Sequence, residues 1–221
     1  MVFNEWVMFG FSHFFGDIYD IIISRGEIVT RIVVNVPEKV VPGRPRMEEY
    51  IKRLAHHIDV VPIEEFKRGP AEKYVIGFTR KAMEPLVDRL KTEHGISFHT
   101  LIHDKAIVQC GALYREGVVL DAGVIIGPWS RVGKHVVMSR GSSIGHDAVV
   151  GDYAFLGAGA VLCGHVRLGE NVLVGANATV IPDVTVGDDV VIAAGAVVTK
   201  DVPSGTMVAG VPAQVKKLIK K

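Results

Sequence analysis

The chain has 221 residues, with 25 Lys plus Arg against 24 Asp plus Glu, a formal charge of +1, and 48% hydrophobic residues. That balance excludes a protein that works by general electrostatic attraction to nucleic acid or to an anionic membrane, while the apolar content supports a sizeable core in one large or two small domains. Two cysteines, Cys110 and Cys163, are too few for a disulfide framework; no secretory leader and no run near the length of a membrane span is visible, so the expected compartment is the reducing cytoplasm.

Residues 1–103 read as alternating strands and helices. The apolar run 5–10 (EWVMFG) is a strand. Residues 14–26 carry Ile18, Ile21, Ile22 and Ile23 partly at helical spacing, and Gly26 suits the helix end. The β-branched stretch 28–36 is a second strand. Pro37, Pro42, Gly43 and Pro45 make 37–45 a loop. A charged amphipathic helix is predicted over 46–58, a strand over 73–78, a helix over 81–95, and a closing strand segment over 97–103. This order argues for a small open parallel sheet of Rossmann type.

After about residue 103 a different pattern takes over, and residues 104–202 form one repeat array. From Leu120 to Val198 every sixth residue is a medium aliphatic, running through Ile126, Ile144, Leu162 and Val180. The next residue is usually Gly, as at Gly127, Gly145 and Gly157, and the fourth after is always Ala, Ser or Val. Three linked constraints at one period describe a three-sided coil of eighteen residues per turn, with the aliphatic inside and the small residues allowing tight corners. Val108 and Tyr114 keep the phase and extend the start. Residues 203–221 are expected to cap the far end with a short helix over AQVKKLIK.

The stretch 142–166 carries the chemistry. His146 and Asp147 follow the inward Ile144 by two and three residues, at a corner where side chains point outward. One turn of eighteen residues places Gly164 beside His146, and puts Trp129 before and His165 after Asp147. A bare Gly164 leaves open space beside the imidazole and exposes an N–H, which suits a general base working on a carbonyl. Cys163 occupies a small-residue slot and reads as packing. His165 is the rival base or a substrate contact. His135 falls on a different side and is expected at the surface.

The hexads, together with AGAVVTKDVPSGTMVAGVPAQVKK over 194–217, resemble the left-handed parallel β-helix acyltransferases. With the Rossmann-like segment and the motif Ser142-x-Ile144-x-His146-Asp147, the chain is similar to the sialic acid O-acetyltransferase and nucleotide-aminosugar N-acetyltransferase type. That resemblance implies His146 as base and Asp147 as its partner, in a homotrimer with acetyl-CoA between adjacent coils. It implies cofactor contacts at Gly164, His165, Ala176, Ala194, Gly195, Lys200, Gly210 and Pro212, and no metal. The acceptor would be a small-molecule nucleotide sugar, held in the N-terminal domain by Gly10, Ser12, His13 and Asn35.

Two departures from the family pattern stand out. Relatives often carry a second His nine residues after the base, where this chain has Phe155, so either backbone N–H groups alone or His165 must hold the thioester. The usual G-x-x-G-H loop reads GFSHFFG over 10–16, with Phe14 at the family His, and Asn35 stands where an acid is common. Two other classes compete with the acetyl-transfer reading. A metal enzyme of the γ-carbonic anhydrase type shares the coil, but His135, His146 and His165 occupy unsuitable stacking phases. A silent trimeric scaffold would not need His146 and Asp147 opposite Gly164.

Overall fold

A computed structural model describes residues 5–12, 14–35, 46–54, 56–79 and 83–219. The chain divides into two compact units, one of Met1–Phe78 with Pro85–His99, the other of Thr79–Glu84 with Thr100–Lys221.

The first unit is a four-stranded parallel sheet. Its strands are β1 (Glu5–Phe9), β2 (Ile28–Val34), β3 (Asp59–Pro62) and β4 (Lys73–Ile76), in the order β3-β2-β1-β4. Strand β1 is central and buries Trp6, Val7, Met8 and Phe9 completely, as a strand covered on both faces must. Helix α1 (Phe15–Ser24) lays Ile18, Ile21 and Ile22 into the core and ends where the amides of Arg25 and Gly26 bond back to Ile22 and Ile23, with Gly26 left-handed at φ +69°. Helix α3 (Glu84–His94) buries Leu86, Val87 and Leu90.

Two readings of this unit are corrected. The helix expected over 46–58 is only α2 (Met47–Ile51), which buries no residue, and Asp59–Pro62 is the edge strand β3. Its apolar positions Met47, Tyr50, Ile51 and Leu54 are only half-buried, so the helix gains little from packing, while the β-branched Val60 and Val61 pair with β2. The loop over 37–45 lies outside the described residues.

Carboxylates order one side of this sheet. Glu27, 6% exposed, accepts from Trp6 Nε1 at 2.6 Å and from Lys73 Nζ at 2.7 Å. Glu72 accepts from the Tyr74 hydroxyl at 3.0 Å and pairs with Arg31 at 2.9 Å. Burial, then the hydrogen bond and negative charge of Glu72, push the Tyr74 phenol up to about 12, against a smaller pull from Arg68. The Tyr74 amide donates to His99 Nδ1 at 3.2 Å, and the His99 amide donates to the Tyr74 carbonyl at 3.0 Å. Partial burial of its ring, then the Lys73 ammonium, pull His99 below the usual histidine value, against a smaller opposing pull from Glu27.

The second unit is the coil. Two-residue strands recur every six residues and pair in parallel with the strand eighteen residues on, as Val137–Met138 does with Phe155–Leu156. They form three faces. The first runs from Leu101–Ile102 to Thr206–Ala209, the second from Ile107–Val108 to Val197–Val198, and the third from Leu113–Tyr114 to Thr185–Val186. The inward aliphatics Leu120, Ile126, Ile144, Leu162 and Val180 make one continuous core with the small residues Ala148, Ala160 and Ala178. Leu101–Ile102, expected to close the α/β set, instead pairs with Val119–Leu120 and starts the coil; Ile102 already stands in the hexad phase.

The corner glycines act differently from expectation. The glycine just after the inward aliphatic is not left-handed; it is there because the next coil passes close by. A Cβ on Gly145 would lie 2.5 Å from the Gly164 nitrogen and 2.6 Å from the Cys163 carbonyl carbon. The left-handed position is two residues later. There Gly159 stands at φ +67°, but so do Trp129 (+56°), His135 (+53°), Asp147 (+56°) and His165 (+61°), a conformation uncommon for anything but glycine and a real outlier for a bulky side chain.

The tail is also corrected. No helix forms over 213–219, the described part of AQVKKLIK. Gln214–Leu218 is a strand antiparallel to Thr206–Ala209, with Val215 and Leu218 exposed. Pairing satisfies the open backbone edge of the first face, which a helix would leave without partners. His135 is also corrected: it is 2% exposed, with its ring stacked on Tyr153 at 5.4 Å.

Candidate active site

His146 stands at the corner between the second and third faces. Its strand, Ser143–Ile144, pairs with Ile125–Ile126 before it and Val161–Leu162 after it. Corner amides tie successive turns together. Asp147 N–H donates to the Pro128 carbonyl and His165 N–H to the His146 carbonyl, both at 3.0 Å. The catalytic candidates are thus held by backbone ladders rather than by a mobile loop.

His146 Nδ1 lies 2.9 Å from Asp147 Oδ2, with the two side chains 55% and 44% exposed. A carboxylate only accepts, so Nδ1 carries the proton and Nε2 of the neutral ring keeps its lone pair. Nε2 faces Gly164: a Cβ added there would fall 2.5 Å from Nε2 and 2.8 Å from Cε1. The sequence reading left open space beside the imidazole, but the imidazole itself fills it. Gly164 is required so that the ring can lie against the next coil. The Gly164 N–H donates to no group among the described residues.

His165 stands one coil on, its ring edge-to-face with His146 at 4.9 Å and 88°. His146, Asp147 and His165 each offer a ligand atom, all within 4.8 Å of one another, so among the described residues this is a set able to hold a divalent ion; all three side chains face solvent. The other expected positions divide between two corners. Ala176, Ala194 and Gly195 line the corner between the first and second faces, and the Gly210 carbonyl accepts from the Val197 amide at 3.0 Å, with exposed Pro212 just after. Lys200 is exposed in the turn that follows Val197–Val198. Between the corners runs the second face, whose outward residues Val161, Thr179 and Val197 are uncharged and half-buried. Phe155 lies on the first face, away from His146.

In the α/β unit, the ends of β1 and β2 carry Gly10, Ser12 and Asn35. Gly10 (φ +79°) is buried under Phe78, whose ring a Cβ would meet at 2.6 Å, with Asn35 Oδ1 at 3.3 Å. The Ser12 hydroxyl donates to the Gly77 carbonyl at 2.7 Å and accepts from the Phe14 amide at 3.1 Å, so it locks the loop. His13 lies outside the described residues. Sequence reasoning missed this locking role; the spacing from Ser12 to α1 was its only signal.

Comparison with known proteins follows the same lines. The family model for the bacterial transferase hexapeptide (six repeats) matches residues 165–200. A mutant of GDP-perosamine N-acetyl transferase from Caulobacter crescentus, in complex with CoA and GDP-perosamine, is similar at 26% identity and TM-score 0.80 over 98% of each chain. PerB from the same organism, with the same ligands, is 27% identical with TM-score 0.79, covering 98% of this chain and 99% of that one. The acetyltransferase domain of PglB from Neisseria gonorrhoeae in complex with acetyl coenzyme A shares the fold at 20% identity and TM-score 0.80, over 97% of this chain and all of that one. A search of curated proteins returns no match. Among the described residues no helix is long and apolar enough to cross a membrane. The repeat, the parallel coil and the preceding α/β unit, matched along almost the whole length, give this chain the fold of the left-handed β-helix acyltransferases, and its structural neighbours are acetyltransferases with CoA bound.

Proposed function

We propose that this protein transfers an acetyl group from acetyl-CoA to the amino group of a nucleotide-linked deoxyaminosugar, with His146 as general base. The observation that carries the reading is the Asp147–His146–Gly164 arrangement: a carboxylate on Nδ1, a lone pair on Nε2, and an unpartnered N–H beside it. The 26% and 27% identical relatives, which bind CoA and GDP-perosamine, support the substrate classes.

His146 Nε2 accepts the proton as the amine nitrogen attacks the thioester carbonyl carbon. Asp147 holds the ring in that tautomer and stabilises the imidazolium that forms. The Gly164 N–H then donates to the oxyanion. When the C–S bond breaks, His146 returns its proton to the leaving thiolate, so the products are an amide and free CoA. The uncharged second face fits a pantetheine arm, because Val161, Thr179 and Val197 let a flat chain lie close, and Lys200 supplies a cation for a phosphate at the far end. The working assembly in this proposal is a homotrimer with the cofactor between adjacent coils.

The experiment is a thiol-release assay with acetyl-CoA and a panel of uridine-, guanosine- and thymidine-linked aminosugars and their hydroxyl counterparts. His146→Ala should abolish transfer with an unchanged thermal melt and sedimentation profile. Full activity in that variant would remove His146 as base. Transfer to the hydroxyl sugars alone would make the protein an O-acetyltransferase, and absence of thiol release with every acceptor in the panel would favour a scaffold.

A further inference from the structure

We infer that Trp129 is the platform on which the acceptor's sugar ring rests, an inference that depends on the acetyl-transfer reading above. Trp129 is the largest side chain on the His146 corner and is 62% exposed. Its stacking position is one turn before Asp147, and its amide is pinned to the Cys110 carbonyl at 3.2 Å. A bulky aromatic in water at φ +56° pays twice, once in backbone strain and once in exposed apolar surface. The ring stands outside the coil core and packs only over Gly111, which offsets little of either cost.

The side-chain directions give the platform its use. The imidazole of His146 leans toward Gly164 in the following turn, while the indole lies back over Gly111 in the preceding one, where a Cβ would come within 2.8 Å of Nε1. Gly111 is therefore to Trp129 what Gly164 is to His146, a missing side chain that lets a ring lie flat. The two rings diverge, with Asp147 between them. The corner is thus divided: toward the coil's end it offers an N–H and an uncharged face, and toward its start an open indole. In this arrangement the sugar ring lies along the indole while its amine extends past Asp147 toward Nε2.

A flat aromatic face suits the C–H-rich face of a pyranose, and a deoxy sugar presents more C–H than a fully hydroxylated one. The indole N–H has no partner among the described residues and is available to a ring hydroxyl. Trp129 would then favour deoxyaminosugars and orient the amine, without taking part in proton transfer.

Fluorescence makes the test selective. The chain holds two tryptophans, and Trp6 is 1% exposed, so acrylamide quenching reports almost entirely on Trp129. In the His146→Ala variant, which binds without turnover, the acceptor identified by the panel should protect Trp129 from quencher, and acetyl-CoA alone should not. Trp129→Ala should raise the acceptor KM about tenfold with little change in the acetyl-CoA KM, and Trp129→Phe should restore most of it. An unchanged acceptor KM in Trp129→Ala, with wild-type transfer intact, overturns the inference. So does protection by protein concentration alone together with a smaller sedimenting species in Trp129→Ala, which would make the indole a contact between copies. No transfer by the wild type to any acceptor defeats the acetyl-transfer reading instead.

Discussion

The sharpest test of the site is Gly164→Ala. Gly164 has an ordinary backbone conformation, so alanine introduces no φ strain; the whole effect comes from one methyl group. That methyl would stand 2.5 Å from His146 Nε2, about 0.9 Å inside ordinary contact, and 2.8 and 3.0 Å from two ring carbons. The ring must move, and it can, because it is the end of a half-exposed side chain. The folding cost should therefore stay below about 1 kcal/mol. Activity should fall far more, since a displacement near 1 Å at a reacting atom costs about 10²-fold. The control is Gly145→Ala, whose methyl would meet the backbone of Cys163 and Gly164 rather than a movable ring; it should lower stability by about 1–3 kcal/mol. Steady-state thiol release and thermal melts on both variants separate the cases. If Gly164→Ala keeps kcat/KM within about twofold of wild type at an unchanged melt, the imidazole does not work from its position against that glycine.

Asp147→Asn keeps the shape at Nδ1 but removes the charge that favours the imidazolium; because the pair is partly exposed and solvent-screened, kcat should fall by about one to two orders of magnitude with the acetyl-CoA KM little changed. Absorbance titration of the phenols should show one tyrosine ionising only at about 12, and Tyr74→Phe should remove it. Since that value is raised on folding, the associated stability is complete below the ordinary tyrosine range near 10 and is lost as pH climbs from there toward about 12. His99 has the opposite sense: its value is lowered on folding, so the unfolded chain binds the proton more readily, and stability should decline as pH falls through the ordinary histidine range near 6.5. His99→Asn, which still offers an acceptor to the Tyr74 amide, should flatten that part of the stability profile measured by chemical denaturation.

Much of the architecture was legible because a coil repeats one local rule. An inward aliphatic every sixth residue forces the eighteen-residue turn, and that number by itself brings Gly164 to His146 and His165 to Asp147. The corner dyad could thus be located by arithmetic. What arithmetic does not carry is the direction of a side chain at a corner. Left-handed residues lean back over the preceding turn, as Trp129 does over Gly111, while His146, one step earlier in its corner, leans forward onto Gly164. Only the folded backbone decides that, and with it whether the space beside Gly164 is empty or already filled by the imidazole.

The ends of the two units were the least readable, for a related reason. Leu101–Ile102, Asp59–Pro62 and Gln214–Leu218 become strands because each finds an unpaired edge, and the presence of an edge is a property of the assembled sheet, not of the segment. Periodicity in the chain reports which residues seek the interior. The tertiary structure alone decides which backbone groups are left wanting partners, and hydrogen bonding to those groups overrode helix-like composition at 46–58 and at the tail.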